Sequence, residues 1–125
     1  MHDFDGDAVR AEIRQAFDAY EAALLANDVA ALTGFFWEDP RAVRMMTEGG
    51  LYGFEAISAF RRGRDPADLA RELSRVDILP FGAGIGVATA EYRRLGSGKR
   101  VAQTQVWVRR PEGWRIAVAH VSLGA

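Results

Sequence analysis

The chain predicts an α+β domain in which a curved antiparallel sheet carries helices on one face and closes with them into a cone around one pocket. Three observations predict it. A strongly amphipathic helical pattern opens the chain, helical segments are confined to its first half, and the second half reads as four successive strands joined by short Gly- and Pro-containing turns.

Each element has a local reason. Over residues 7–27, Val9, Ile13, Phe17, Tyr20 and Leu24 recur at intervals of three and four and share one face, with Asp5 or Asp7 as cap. Asn27-Asp28 breaks that helix and caps a second over 29–36. Trp37-Glu38-Asp39-Pro40 is a turn, because the residue before proline avoids the helical region. Residues 42–47 form a short strand, and Gly49-Gly50 and Gly53 bracket a turn around Leu51-Tyr52. Residues 54–64 read as a helix with Ile57, Phe60 and Arg61 at suitable spacing, stopped by Asp65-Pro66. Residues 69–79, 84–95, 100–110 and 114–123 are strands; Gly96-Ser97-Gly98 and Pro111-Glu112-Gly113 are turns, the latter with glycine where positive φ is expected. No linker, repeat or low-complexity segment interrupts residues 1–125, which read as one domain.

Composition narrows the functions. With 49% hydrophobic and 26% charged residues the chain is globular rather than disordered. Sixteen basic against seventeen acidic residues leave a net charge of −1, which argues against nucleic acid as a partner. The absence of cysteine excludes disulfides, thiolate metal sites and cysteine nucleophiles. Imidazole can come only from His120 and from His2, the latter on a terminus expected to fray. No metal-ligand spacing and no nucleophile elbow appears, and Gly82-Ala83-Gly84-Ile85-Gly86 opens a strand instead of a phosphate-binding helix. The acidic, amphipathic start is not a signal peptide and no apolar run is long enough to span a membrane, so the expectation is a soluble cytoplasmic protein.

Strand alternation then assigns faces. Trp114, Ile116, Val118, His120 and Ser122 fall on one side of the last strand, and Gln103, Gln105 and Trp107 on one side of the strand before it. Both faces of these strands are largely apolar, and no spare helix exists to cover the second. A homodimer packed through the outer sheet face is therefore expected. Gln103, Gln105, His120 and Ser122 among Trp107, Trp114 and Ile116, together with Glu91 in a strand, describe a small-ligand pocket.

Individual residues admit two readings each. Arg44 lies in a mainly apolar strand; it cannot shed its charge, so burial requires an acid (Glu48 or Glu91) or an anionic ligand, unless it snorkels to the surface. Tyr20 is a core tyrosine or a hydroxyl donor into the pocket. His120 is an acid, base or donor, or a structural histidine bonded to a backbone carbonyl. Glu91 is a site acid or an orienting ion-pair partner. Arg61, Arg62 and Arg64 read as a solvated helix end.

The segments FFWEDPRAVR (35–44), LYGFEAISAFRRGR (51–64), AEYRR (90–94), QTQVW (103–107) and PEGWRIAVAHVSL (111–123) resemble the AtzH-like family of the SnoaL-like, nuclear transport factor 2-like superfamily. The resemblance implies the cystatin-like cone fold and a dimer. It also implies an activity: cofactor-free, decarboxylating amide hydrolysis of small N-carboxylated ureas in ureide and s-triazine catabolism, with relatives placed in oxalurate breakdown. It makes Tyr20 and Arg44 the leading catalytic residues, with His120 managing a proton or water, and Gln105, Glu91, Trp107 and Ser122 on the substrate side. The ligand is then a small carboxylate. A non-catalytic carboxylate-binding module of an amidase pathway is the alternative, as is a SnoaL-like isomerase or dehydratase. Met45-Met46 stands where relatives carry an aromatic residue and a glycine, Glu48 is displaced by one place, and Gly84-Ile85 replaces an aspartate and a phenylalanine.

Overall fold

The structure, a computed structural model, describes residues 4–124; His2 lies outside them. Helix α1 (Gly6–Leu25) starts where the Asp5 carboxylate accepts the amides of Asp7 and Ala8. Its predicted stripe of Val9, Ile13, Phe17, Tyr20 and Leu24 is buried. Helix α2 (Val29–Gly34) is capped by Asp28, whose carboxylate accepts the Ala31 amide. Then come β1 (Val43–Met46), β2 (Gly49–Tyr52), α3 (Phe54–Gly63), β3 (Arg71–Gly82), β4 (Ile85–Arg94), β5 (Arg100–Arg110) and β6 (Gly113–Leu123). Leu51-Tyr52, expected in a turn, belongs to β2; the turn is Thr47-Glu48, because Met46 pairs with Gly49.

The sheet order is β2-β1-β6-β5-β4-β3. It is mixed rather than wholly antiparallel: β1 runs parallel to β6, with Arg44 beside Ala119. The chain leaving α2 is led into that direction by its own backbone. The Ile116 amide donates to the Phe35 carbonyl at 2.7 Å, and the Trp37 amide donates to the Ile116 carbonyl at 2.9 Å. Helix α1 lies close on the sheet. A Cβ on Gly86 would meet Ile13 Cδ1 and come within 3.1 Å of the Leu79 carbonyl oxygen, so glycine at that point of β4 leaves room for the Ile13 side chain.

One irregularity decides what faces inward. Val106 pairs with Val118, but Trp107 pairs with Ile116, which leaves Ala117 as an extra residue on β6. This β-bulge inverts the alternation along the strand. Trp114 and Ile116 face the core before it, and Ala119 after it, whereas Val118, His120 and Ser122 point outward and are exposed.

The outer face carries a continuous apolar row. Leu79, Val87, Val106, Val118, Val43 and Tyr52 are direct cross-strand partners from one edge to the other. Leu79, Val118 and Tyr52 in it are 54%, 42% and 67% exposed. Beside it run two more polar rows, Asp77-Thr89-Thr104-His120 and Arg75-Glu91-Ala102-Ser122. They line a shallow concavity of about 300 Å³.

Candidate functional site

Between α1, α3 and the inner face of the sheet lies a chamber defined by charge. Tyr20 and Glu21 enter from α1, Arg44 from β1 and Arg61 from α3. Arg64 follows α3, and Arg71 and Arg94 stand at the paired ends of β3 and β4. Arg61 is 1% exposed and Arg44 8%. Arg44 Nη1, Arg61 Nε and Nη1, Arg64 Nε and Nη2, and Arg94 Nε are buried without a hydrogen-bond partner. Neither Glu48 nor Glu91 reaches Arg44 as an ion pair among the described residues; both are exposed, and Glu91 is on the outer face.

What holds Arg44 instead is aromatic. Its guanidinium lies 4.8 Å from the Phe60 ring centre, and that of Arg61 lies 5.5 and 5.7 Å from the rings of Tyr20 and Phe36. The Arg61 guanidinium donates to the Tyr20 hydroxyl. Tyr20 is fixed by edge-on contacts with Phe35 at 5.9 Å and Trp107 at 6.5 Å. Gln105 Oε1 accepts the Trp107 indole N–H at 3.0 Å, which locks both side chains in the core.

The buried acid of the chamber is Glu21. Its Oε2 is 3.7 Å from Arg71 Nη1, and Arg71 in turn stacks at 3.9 Å over Tyr92. Burial pushes the Glu21 carboxyl up, against the pull of Arg71. Burial also raises the Tyr92 phenol, opposed by Arg71 and Arg94. Burial, reinforced by the neighbouring Arg61 charge, brings both Arg44 and Arg64 down to about 10. For Arg44 this is about 3 kcal/mol set against its charged form.

Arg44, Arg64 and Arg94 of this cluster also line a cavity of about 420 Å³. Met46, Phe60 and Leu123 are among its apolar walls. A cleft of this size takes a small molecule.

The structure brings together Tyr20, Arg44, Gln105 and Trp107 of the sequence-predicted residues, Trp107 as packing around Tyr20. It does not bring His120, Glu91 and Ser122 to them. Those three share the outer concavity, because of the bulge at Ala117 for His120 and Ser122, and by plain alternation on β4 for Glu91. Met45 also faces outward, within 3.8 Å of the Tyr52 hydroxyl, so Met46 alone of the pair greases the cavity. Gly84-Ile85 lies at the β3–β4 hairpin, at the opposite end of β4 from Arg94.

Sequence reasoning missed Arg61 and Glu21. Arg61, read as a solvated helix end, is among the most buried side chains, whereas Arg62 is exposed and donates to Ser58 Oγ at 2.8 Å. The signal was spacing: Arg61 falls four residues after Ile57, and Glu21 four after Phe17 and three before Leu24.

A six-stranded mixed sheet wrapped on a long helix, with a chamber between them, is the nuclear transport factor 2-like, cystatin-like architecture. A nuclear transport factor 2-like superfamily protein from Salmonella enterica matches with TM-score 0.77 at 22% identity, over 95% of this chain and 93% of that one. A structure described as a putative ketosteroid isomerase from Parabacteroides distasonis matches at 0.72 and 22%, over 86% and 84%. Two solved structures are nearer in sequence. A protein of unknown function from Pectobacterium atrosepticum is 47% identical over 94% of this chain and 92% of its own, with TM-score 0.89. A cystatin-like fold protein from Burkholderia xenovorans is 35% identical over 94% and 93%, with TM-score 0.88. No curated protein matches. The AtzH-like family model matches residues 2–125, and the chain belongs to that family.

Proposed function

We propose that the protein is a cofactor-free hydrolase of the decarboxylating amidohydrolase type, acting on a small carboxylated amide or ureide. The observation that carries this reading is Arg44: a guanidinium more than nine-tenths buried, with no acid partner among the described residues, lining an open cavity and close to the Tyr20–Arg61 pair. A substrate carboxylate supplies the missing counter-charge through charge-assisted hydrogen bonds. The Tyr20 hydroxyl, polarised by Arg61, donates to the oxyanion that forms when water adds to the amide carbonyl. The C–N bond then breaks, the nitrogen departs with a proton, and a carbamate product loses CO₂. His120 faces away from this chamber, so Glu21, whose carboxyl holds its proton more tightly than usual, takes the proton-carrying role.

The same reading includes a homodimer through the outer sheet face. Its support is the apolar row that crosses all six strands with Leu79, Val118 and Tyr52 exposed. A non-catalytic carboxylate-binding module is the second reading. It is favoured by the shortage of proton carriers inside: among the described residues Glu21 is the buried carboxyl there, and no imidazole faces the chamber.

The test is release of ammonia and CO₂ from small ureido and N-carboxylated amides. The expected result is turnover that Arg44→Lys abolishes with the circular dichroism unchanged. Full activity in Arg44→Ala overturns the reading. A specific heat-stabilising response to ureidoacetate without turnover selects the binding module.

A further inference from the structure

The cavity lining carries both signs of charge: Arg44, Arg64 and Arg94 with Glu48, Asp65 and Asp68. Arg44 is buried, whereas Glu48 in the β1–β2 turn and Asp65 in the α3–β3 loop are exposed. Asp68 is committed: it accepts the Ser97 amide at 2.9 Å, and its carboxyl is held low chiefly by Ser97, with Arg94 adding to it. Asp65 accepts the Ala67 amide through Oδ1, which leaves its second oxygen free. Glu48 makes no hydrogen bond or ion pair among the described residues. Its turn is nevertheless held in place, since Thr47 Oγ1 accepts the Leu123 amide at 3.1 Å.

Along β1, Arg44 and Met46 point into the cavity two residues apart, which is about 7 Å of strand, and the turn begins immediately beyond. A ligand whose carboxylate reaches the unpartnered Arg44 Nη1 therefore passes apolar wall and presents its other end to Glu48 and Asp65. A second carboxylate at that end meets like charge; an N–H-bearing or cationic end meets acceptors.

We propose that the cavity selects a bipolar ligand: a small carboxylate whose far end, three or four atoms away, carries an ammonium or other N–H donor group, with Glu48 and Asp65 as the specificity-determining residues. This rests on the carboxylate-binding role of Arg44 proposed above.

Three probes share one trimethylene carboxylate and differ at the far end: 4-aminobutyrate (ammonium), pentanoate (methyl) and glutarate (carboxylate). Their dissociation constants are measured by calorimetry on the native protein and on Glu48→Gln/Asp65→Asn at low and high salt. The expected order is 4-aminobutyrate tightest, about fivefold ahead of pentanoate, with glutarate weakest. The double variant closes the gap between 4-aminobutyrate and pentanoate while leaving pentanoate unchanged, and salt narrows the gap in the native protein. Glutarate binding as tightly as 4-aminobutyrate, or a gap that survives the double variant, overturns the proposal while leaving carboxylate binding intact. Failure of all three probes to bind overturns both.

Discussion

The two faces of this sheet handle charge in opposite ways. On the outer face charges lie among their opposites and in water: Arg75 Nε sits 2.6 Å from Asp77 Oδ2, and Arg93 lies 3.6 Å from Glu72, all largely exposed. Such pairs contribute little to stability and ask nothing of a ligand. On the inner side, five guanidinium groups cluster, one buried carboxyl, Glu21, faces only Arg71 and Arg61 of them, and several of their N–H groups have no acceptor among the described residues. An isolated buried cation is among the most unfavourable things a fold can hold. A chamber that keeps several is stabilised when an anion arrives. On the proposed function, the comparison separates a surface that packs against a second copy from a cavity that takes a guest.

The largest effect that breaks the comparison is on the inner side. Arg44→Lys is expected to lower kcat/KM for a carboxylated ureide by at least a hundredfold, because an ammonium cannot match the planar fork of the guanidinium; steady-state kinetics checks this. Tyr20→Phe is expected to cost roughly a hundredfold in kcat with little change in KM, the signature of a donor used in the transition state. On the outer side, Val106→Glu puts a charge in the middle of the apolar row. It is expected to shift the protein from dimer to monomer in sedimentation velocity, with the chamber's ligand response retained. A smaller effect concerns pH. The folded-state carboxyl of Glu21 is raised, so the folded protein binds the extra proton, and stability falls as pH climbs from the ordinary glutamate range through that raised value. Glu21→Gln is expected to flatten that segment of the stability–pH curve in denaturant titrations. The smallest is His120→Asn, expected to change kcat/KM by less than twofold, since His120 faces outward. A large loss there would join the two faces functionally and undo the distinction.

Most of the architecture was legible because period and punctuation agree. The α1 stripe, the Asp28 cap, the proline stops and the Gly113 turn, with φ at 124°, each encode their element locally. Tyr20 and Arg44 were legible for a related reason: one lies on a helical apolar stripe and the other at an inward strand position, where a polar group draws notice. The direction of β1 was not legible, because pairing it parallel to β6 depends on a contact between segments 75 residues apart. The sides of His120 and Ser122 were misread for a sharper reason. An extra residue at Ala117 leaves no mark in an apolar run such as Ile116-Ala117-Val118-Ala119, yet it turns every later side chain over. Arg61 was hidden by its neighbours, since a cluster of arginines at a helix end looks solvated until the register shows which of them points inward.

The account stands on the inner cations being unpaired by design for an anion, and the melting temperature of Arg44→Met against that of the native protein, each with and without ureidoacetate, tests this most directly. Removing the buried charge is expected to raise the melting temperature of the empty protein by about 5 °C and to erase the response to ureidoacetate, while the native protein is stabilised by the ligand. An empty variant that melts below the native protein, together with a native protein that ureidoacetate does not stabilise, would contradict it.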